Sequence, residues 1–519
     1  MPSRPTSSRS AQLQANPLTA NTAHSRSSAD INRLFSLNPL LNVAVAVLML
    51  GSCALADDTR AKERENYELM SLFVETFQQI ESNYVRDVDR RELMEAAIQG
   101  MLSHLDQYSN YIPPQDVSRF NQMVEQEFGG IGITVNARQG QLIVVSPLPG
   151  TPAYRAGIRA GDIIVEVEGK STDGITLSEA VGKLQGPVGR PVKLRIQHPE
   201  EGSEPEDVEL IRELIKAPTV LGNSYNDKDQ WEFMYDTERR IGYIRLSHFS
   251  RYTADELKAA IDSLVERDVQ GLILDLRFNP GGLLEAAIEI ADMFLEKGTI
   301  VSVRGRNVPE RSWSAKKSGT YPQFPIAVLV NNYSASASEV LSACLQDNHR
   351  AVVIGERTWG KGSVQNVIRM EGGDSALKLT TASYHRPSGV NIHRFPDMTP
   401  KDQWGVTPDE GFVIPYDRRQ WAAWDRDRKR RDVLRRASVR NGSDNSSTAD
   451  EDSVRFEDTQ LQAAIDYIVK KLEGTSKDSE TKQPPDSATS TDNATTTSES
   501  PKDGAATTSP AGSDSNEKP

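Results

Sequence analysis

Residues 326–339 read IAVLVNNYSASASE, an apolar run followed by small polar residues and then by a helical pattern. The run predicts a buried strand, and a helix is predicted from Ala337 onward. Ser336 then falls on a strand-to-helix turn, where the start of the helix offers unpaired backbone N–H groups to a developing oxyanion. That position favours a nucleophile. The pattern Ser336-x-x-Glu339 is also a capping box, in which the serine only satisfies helical N–H groups.

A nucleophilic serine needs a base, and two candidates follow it in the sequence. His349 lies just beyond the predicted helix, about 15 to 20 Å from its start, so it is poorly placed. Lys361 lies in the segment WGKGS at 359–363, where two glycines allow the backbone to bend and approach closely. Gln365 follows on the same face of an extended chain and could orient the lysine amine. Lysine acts as a base only where a desolvated pocket lowers its pKa, and an exposed loop lysine is the alternative interpretation.

A second source of backbone donors is the segment DLRFNPGG at 275–282. It lies between a predicted strand and a helix that begins near Leu283. Tandem glycines at the start of a helix can present N–H groups to an anion. The sequence Asn-Pro-Gly-Gly is also an ordinary turn without any function.

The segment GERTWGK at 355–361 matches half of a phosphate-binding P-loop after an apolar strand. Gly362 occupies the place where a Ser or Thr would hold magnesium. The residues that follow read as a strand, where a P-loop requires a helix. A nucleotide-binding function is therefore disfavoured.

The length, charge and cysteine content of the chain exclude several other classes of function. The 519 residues suggest two or three folded units with tails, and the formal net charge of −13 argues against a nucleic-acid binder. Cys53 and Cys344 are too few for a disulfide framework and lack the spacing of a zinc site. We therefore expect neither a structural metal nor a nucleic-acid partner.

Changes in hydrophobic period divide the chain. Residues 61–127 show helical spacing, residues 128–216 read as a β-rich block, and residues 219–416 alternate strands with helices. The last pattern predicts an α/β core. Residues 417–473 contain a basic run and a second helical pattern, so two helices are predicted there. Within the core, strands are predicted at 241–246, 271–276, 326–331 and 351–355, and helices at 254–267, 283–295 and 337–346.

The two ends of the chain differ from the middle. Residues 1–39 and 474–519 have few apolar residues, which predicts disorder. Residues 40–56 are almost continuously apolar and end in small residues, as in a secretory signal peptide. Ala54-Leu55-Ala56 fits a signal-peptidase site, whereas Leu50 to Cys53 fits a lipoprotein signal with a lipidated cysteine. An uncleaved anchor, which would attach the protein to a membrane, is the third interpretation. We expect export to a bacterial periplasm or cell envelope.

Several motifs in one order resemble the carboxyl-terminal processing proteases, also called tail-specific proteases, a serine peptidase family with a Ser-Lys catalytic pair. The resemblance covers roughly residues 67–416. The motifs are GML at 100–102, LDQYS at 105–109, GIGI at 130–133, DLRFNPGG at 275–282, SASASE at 334–339 and GKGSVQ at 360–365. Phe278 stands where the family commonly has Asn, and Gln107 where it commonly has Pro.

The resemblance implies a fold and a role for each matching residue. The implied nucleophile is Ser336, the general base is Lys361, the residue that orients the base is Gln365, and the oxyanion hole consists of the N–H groups of Gly282 and Ala337. The implied fold is a crotonase-like spiral of ββα units at 219–416 with an inserted PDZ domain at 128–216 and flanking helical regions at 61–127 and 417–473. No cofactor is implied.

Within the β-rich block, Gly130, Ile131, Gly132 and Ile133 resemble the carboxylate-binding loop of a PDZ domain. Successive backbone N–H groups in such a loop capture a terminal carboxylate while the peptide adds as a strand. The resemblance therefore implies protein or peptide partners with free C-termini. It also implies a homodimer formed through the helical regions.

The sequence thus predicts an exported serine endopeptidase that binds protein C-termini through a PDZ domain and cleaves by a Ser-Lys acyl-enzyme mechanism. A non-catalytic PDZ adaptor on a protease scaffold is the alternative from a different class of function. A histidine-dependent hydrolase that uses His349 is a third interpretation.

Overall fold

The computed structural model describes residues 62–199, 203–321, 324–434 and 456–480. The predicted disordered segment 1–39, the apolar segment 40–56 with Cys53, and most of the predicted tail lie outside these residues. Among the described helices, none combines the length and the apolar composition needed to cross a membrane. The chain divides into two units, residues 1–100 and residues 101–519.

The first unit is helical over most of its described part. Helix α1 spans 62–83, and helix α2 (Arg90–Ser103) begins after a short turn and ends just beyond the unit. Arg90 lies over the ring of Phe77 at 5.9 Å and pairs with Glu81 at 3.2 Å. Exposed pairs of this kind contribute roughly 0 to 1 kcal/mol, so these contacts add little to the stability of the turn.

A short strand lies in the region 61–127 that the sequence predicted to be helical. Strand β1 (Asn110–Ile112) is followed by helix α3 (Pro114–Glu125) and strand β2 (Glu127–Gly130). β1 pairs antiparallel with residues 376–378 of a later strand. The helical prediction was wrong for β1 because such a short strand shows no period of its own and is set by its distant partner.

The β-rich block folds around its own apolar core. Its elements are β3 (Ile133–Arg138), β4 (Gln141–Pro147), α4 (Pro152–Arg155), β5 (Ile163–Val167), β6 (Lys170–Ser171), α5 (Leu177–Leu184), β7 (Pro191–Gln197), β8 (Glu206–Ile211) and β9 (Glu213–Lys216). Six strands form a sheet in the order β3-β4-β5-β7-β8, with β6 paired to β5 and β3 at an edge, and β2 pairs with β9. Leu142, Ile164 and Ile196 are fully buried here, and burial of such a side chain contributes about 1.5 to 3 kcal/mol.

The largest part of the second unit combines two large sheets and one two-stranded sheet with helices. Its elements are β10 (Val220–Leu221), β11 (Ser224–Tyr225), β12 (Trp231–Glu232), β13 (Met234–Asp236), β14 (Ile241–Leu246), α6 (Thr253–Val265), β15 (Gly271–Asp275), α7 (Leu284–Asp292), β16 (Thr299–Arg304), β17 (Arg311–Ser314), β18 (Ile326–Val330), α8 (Ala337–Asp347), β19 (Val352–Gly355), β20 (Ser363–Met370) and β21 (Ser375–His385). Helices α9 (Arg418–Arg431) and α10 (Thr459–Glu480) follow. This alternation of strands and helices is the α/β pattern that the sequence predicted.

The main sheet has the order β10-β14-β15-β18-β19, and β14, β15, β18 and β19 run parallel. A parallel sheet needs cover on both faces. Ile244 packs in the cluster that contains α6, α7 and α8, whereas its neighbour Tyr243 packs with Leu461 and Ile465 of α10 on the other face. The second sheet has the order β1-β21-β16-β17, with β20 paired to β21. The turns that follow β15 and β18 at their carboxyl ends contain the predicted site residues Gly282 and Ser336.

Helix α10 extends beyond the predicted boundary at 473. The polar composition predicted disorder from 474, but residues 474–480 continue the helix. Once a helix is nucleated, each further residue adds one backbone hydrogen bond, so polar residues can prolong it without packing. The prediction was therefore wrong for this short segment.

Candidate active site

Ser336 lies at the junction of strand β18 and helix α8. Its backbone has φ 57° and ψ −115°, a positive-φ conformation that residues with a side chain rarely adopt. Ser336 is buried to all but 8% of its surface. Backbone strain of this kind costs about 1 to 3 kcal/mol and clusters at functional sites. The surrounding structure must therefore enforce the conformation of this turn.

Three serines occupy the turn, and two of them have structural hydrogen bonds. Ser334 Oγ and Ser338 Oγ donate to backbone carbonyl oxygens at 2.8 and 3.0 Å. Glu339 N–H donates to the carbonyl oxygen of Ser336 at 2.9 Å, so the start of α8 does not depend on the Ser336 hydroxyl. The geometry thus singles out Ser336 as the serine whose hydroxyl can serve chemistry.

The turn after β15 packs directly against the Ser336 turn. Asn279 is fully buried, and its carbonyl oxygen accepts a hydrogen bond from Ala335 N–H at 3.0 Å. A Cβ atom on Gly281 would lie 2.8 Å from Ser336 Cβ and 2.9 Å from Ala337 N. Only glycine allows backbones to approach this closely.

The two predicted oxyanion donors lie in these packed turns. Gly282 has φ 146°, and a Cβ atom there would lie 2.1 Å from the carbonyl oxygen of Phe249. Ala337 is the first residue of α8, so its N–H has no acceptor within the helix. In the described part of the chain we find no hydrogen bond donated by either N–H group. Both donors can therefore serve a carbonyl oxygen bound beside Ser336.

Lys361 lies in a bend between β19 and β20 that its neighbouring glycines permit. A Cβ atom on Gly360 would lie 2.7 Å from Arg394 Cβ, and one on Gly362 would lie 2.2 Å from His393 N. The segment that contains His393 and Arg394 therefore packs closely against the two glycines that flank the lysine. This is the close approach that the sequence WGKGS predicted.

The surroundings of Lys361 favour its neutral form. Burial lowers the pKa of the Lys361 ammonium, and the positive charge of Lys378 lowers it further, against the opposite effect of Glu339. Nζ lies 5.1 Å from the centre of the Tyr108 ring. Among the described residues, Nζ has neither a hydrogen bond nor an ion pair. The lysine thus lies in the partly desolvated pocket that a general base requires.

The structure does not bring Gln365 to Lys361. Strand β20 begins at Ser363, and its pairing register shifts between Val364 and Gln365. Gln365 Nε2 donates to Ser363 Oγ at 2.8 Å and to Thr380 Oγ1 at 3.2 Å. Within the described residues no hydrogen bond joins Gln365 to Lys361. The predicted orienting contact is therefore not formed in this structure.

A buried carboxylate joins the serine turn to the lysine turn. Glu339 Oε2 accepts hydrogen bonds from the N–H groups of both Ser336 and Lys361, each at 2.8 Å. Oε1 accepts from Gly360 N–H at 2.6 Å and from Thr358 Oγ1 at 2.5 Å. Burial raises the pKa of Glu339 to about 6, while these hydrogen bonds act in the opposite direction. Because one oxygen atom accepts both hydrogen bonds, the backbone nitrogens of Ser336 and Lys361 lie no farther apart than the sum of the two hydrogen-bond lengths.

Sequence reasoning treated Glu339 only as the capping-box partner of Ser336. Only the carboxylate half of that capping box is formed, in which Ser336 N–H donates to Glu339, and the same carboxylate also accepts a hydrogen bond from Lys361 N–H. A signal was available, because Glu339 lies among small and apolar residues where an ionisable side chain is rarely buried without partners. Tyr108, whose ring faces the lysine, was noted only as part of the LDQYS motif.

Two alternatives find no support in the geometry. His349 is exposed and lies beyond the C-terminal end of α8, whereas Ser336 precedes its N-terminal end. The P-loop-like segment 355–361 leads into strand β20 and not into a helix. In the ranges that the structure describes, no group of three or more His, Cys, Asp or Glu side chains could hold a metal ion.

The predicted peptide-binding loop leads into the edge strand β3. Gly132 has φ 77°, and a Cβ atom there would lie 2.3 Å from Thr151 Cβ. The carbonyl oxygens of Ile131 and Gly132 accept hydrogen bonds at 3.0 and 2.9 Å, which fixes the loop. Among the described residues, no acceptor is found for the N–H groups of Ile131 and Gly132. With the open edge of β3 and helix α5 beside it, the loop has the features needed to add a peptide strand.

Models of known families match three parts of the chain. Peptidase family S41 matches residues 240–411, a PDZ domain matches residues 143–198, and the N-terminal domain of the activating protease CtpB matches residues 49–115. The class defined by these matches is that of serine-type S41 peptidases that carry a PDZ domain.

Individual proteins similar to this chain identify a narrower family within the S41 peptidases. The carboxy-terminal-processing protease of Bartonella bacilliformis is 39% identical over 356 residues, which cover 68% of this chain and 76% of the relative. Carboxy-terminal processing protease CtpA of Bacillus subtilis is 37% identical over 320 residues, which cover 61% of this chain and 65% of that protein. A solved photosystem II D1 C-terminal processing protease is 28% identical over 67% of this chain and 92% of its own, with a TM-score of 0.38. The chain belongs to the family of carboxy-terminal processing proteases, which confirms the resemblance found in the sequence.

Proposed function

We propose that this chain is an exported serine endopeptidase that recognises protein C-termini through its PDZ domain and cleaves peptide bonds by a Ser-Lys acyl-enzyme mechanism. Its substrates are envelope proteins that are processed or degraded from their C-termini. The observation that supports this most directly is the shared oxygen of Glu339, which holds the backbones of Ser336 and Lys361 together.

In the proposed mechanism, Ser336 Oγ attacks the scissile carbonyl carbon while the neutral amine of Lys361 accepts the hydroxyl proton. The N–H groups of Gly282 and Ala337 stabilise the oxyanion. The tetrahedral intermediate then expels the amine, which takes the proton from Lys361, and water hydrolyses the ester left on Ser336. In this mechanism Gln365 orients the base when substrate binds, by accepting a hydrogen bond from the Lys361 amine at its amide oxygen, while Nε2 is the atom that donates to Ser363 and Thr380.

Further parts of the proposal concern architecture and location. We propose a crotonase-like spiral of ββα units for the α/β core. Export follows from the apolar segment 40–56, which lies outside the described residues together with Cys53. Membrane attachment through that segment and a homodimer through the helical regions follow from the sequence patterns and the resemblance.

The first test compares one unstructured peptide in two forms, with a free C-terminus and with an amidated one. Because a terminal carboxylate would bind the N–H groups of Ile131 and Gly132, we expect amidation to lower kcat/KM about tenfold or more. The measurement is the rate of product formation by mass spectrometry. Equal cleavage of the two peptides would contradict recognition through the C-terminus.

The substitution Gly132→Ala provides the matched control for this test. Its Cβ atom would meet the Thr151 side chain and occupy a positive φ, so the loop must shift. We expect the variant to cleave the free and the amidated peptide at similar rates. A retained preference for the free C-terminus would place the carboxylate site elsewhere.

A second prediction concerns the pH dependence of activity. The charge of Lys378 lowers the pKa of Lys361, so Lys378→Gln should raise it. Since the base must be neutral, kcat/KM should fall about two- to fivefold near neutral pH and converge with the wild type at high pH. The measurement is a pH profile of kcat/KM, with the exposed Lys470→Gln on helix α10 as the control. Superimposable profiles for Lys378→Gln and the wild type would argue against Lys361 as the titrating base.

A further inference from the structure

A cavity of about 960 Å³ lies beside the candidate active site, between helix α9 and the carboxyl ends of β14, β15 and β18. We refer to it as the basic cavity, and the residues that matter for its chemistry are Arg245, Phe278, Tyr333, Arg418, Trp421 and Arg428. In open α/β sheets, ligands bind at the carboxyl ends of parallel strands. The proposed mechanism uses none of these six residues.

The charges around the basic cavity are unbalanced. Five cationic side chains and two carboxylates line it. One of the cations, Arg277, is matched by carboxylates behind the wall, since it pairs with Asp275 at 2.7 Å and with Asp458 at 2.9 Å. The remaining lining therefore keeps more positive than negative charge, which suits an anionic group.

Two arginines of the cavity share a single carboxylate. Arg245 and Arg428 both pair with Asp432, at 2.7 and 2.9 Å. Within the described part of the chain, the buried Nε of Arg245 and Nη1 of Arg428 have no hydrogen-bond acceptor, and Arg428 is only 3% exposed. Arg418 lines the cavity as an exposed side chain that has no ion pair among the described residues. A buried donor without an acceptor costs about 1 to 3 kcal/mol, so an anion that supplies one would bind favourably.

An aromatic wall completes the cavity. Phe278 has φ 61°, which is strained for a bulky residue. Its ring stacks on Tyr333 at 5.1 Å and on Trp424 at 5.0 Å, and it meets Trp421 edge-on at 5.0 Å. The stacking offsets the backbone strain and leaves Tyr333 half exposed towards the cavity.

The wall is continuous with the catalytic turns. Tyr333 belongs to the same turn as Ser336, and Phe278 belongs to the turn that carries Gly282. A polypeptide held at Ser336 would therefore run past the aromatic wall. We propose that the basic cavity is a substrate subsite that binds an acidic side chain, Asp or Glu, of the polypeptide being cleaved. The assignment rests on the proposed function, since it needs a peptide at Ser336.

The test uses peptides with one common C-terminus that differ by Glu or Gln at single positions around the scissile bond. In the wild type we expect kcat/KM to be about five- to tenfold higher for Glu than for Gln at one position. Arg418→Gln should reduce this ratio to near one, and Arg418→Glu should invert it. Arg419→Gln is the matched control, because Arg419 is exposed on the same helix without lining the cavity. A ratio near one at every position in the wild type, or an equal loss in Arg419→Gln, would overturn the proposal.

Calorimetric binding separates this proposal from the proposed function. Titration of Ser336→Ala with amidated forms of the same peptides measures how tightly each peptide binds. The variant cannot cleave the peptides, and the amide removes any binding through a free C-terminus. Tighter binding of the Glu peptide that is lost in the double variant with Arg418→Gln supports the subsite, even if the wild type cleaves nothing. Equal affinity for the Glu and Gln peptides overturns the subsite. The subsite is also overturned if inorganic phosphate binds the cavity and the Glu peptide does not compete with it.

Discussion

Ser336→Ala is expected to lower kcat by about 10⁴- to 10⁶-fold while the protein still binds peptides. The substitution removes the attacking oxygen, and no other serine of the turn can replace it, because Ser334 and Ser338 hold backbone carbonyl oxygens. The measurement is single-turnover cleavage of an unstructured protein with an apolar C-terminus. A wild-type rate in this variant would contradict the proposed nucleophile.

Ser334→Ala and Ser338→Ala are the matched controls. Each removes a buried hydroxyl that donates to a carbonyl oxygen, so each should lower stability by about 1 kcal/mol. Turnover by the folded variants should stay within about tenfold of the wild type. If either control lowers kcat as much as Ser336→Ala does, that serine is the better candidate for the nucleophile.

Lys361→Met tests the base in the same assay. It keeps the length and apolar body of the side chain but cannot accept a proton, so its kcat should fall nearly as far as that of Ser336→Ala. Cleavage at the wild-type rate would return the histidines, including His349, to consideration. If Ser336→Ala and Lys361→Met retain every cellular role of the wild type, the non-catalytic adaptor is the better interpretation.

The parts of the fold that follow local rules were predictable from the sequence. The strand predicted at 241–246 is β14, and the helix predicted at 337–346 is α8. Both carry strong hydrophobic patterns over several residues. Strand β1 carries none, because its partner in β21 lies far along the chain. Its pairing is a property of the tertiary structure and not of its own residues.

The same distinction applies to the site. Ser336 was found from its position between a strand and a helix, and Lys361 from its two glycines. The shared carboxylate of Glu339 could not be found in this way, because it depends on how the loop after β19 folds back over the start of α8. The absent contact between Gln365 and Lys361 has a similar origin, since an irregularity in β20 redirects Gln365 to Thr380.

Glu339→Ala should lower kcat about 10²- to 10³-fold with a smaller effect on KM. It removes the acceptor shared by Ser336 and Lys361, and hydrogen bonds to a buried charge contribute about 1.5 to 3 kcal/mol each. Glu339→Gln should lose less, because one amide oxygen still accepts. Glu410→Gln, at an exposed position, controls for the change in charge. Equal kcat for the wild type and Glu339→Ala would show that the shared carboxylate does not position the pair.

The stability of Glu339→Gln distinguishes this positioning role from a general packing defect. Burial raises the pKa of Glu339 from 4.5 to about 6, so the folded state binds its proton more tightly than the unfolded state. This group therefore stabilises the fold most below pH 4.5, and about 2 kcal/mol is lost as the pH rises from there through 6. The amide has no such proton, so unfolding of Glu339→Gln should lack this fall. If the ionised carboxylate positions Ser336 and Lys361, the kcat of Glu339→Gln should lie below that of the wild type above pH 6, and the difference should shrink below pH 6, where the wild-type carboxyl is protonated.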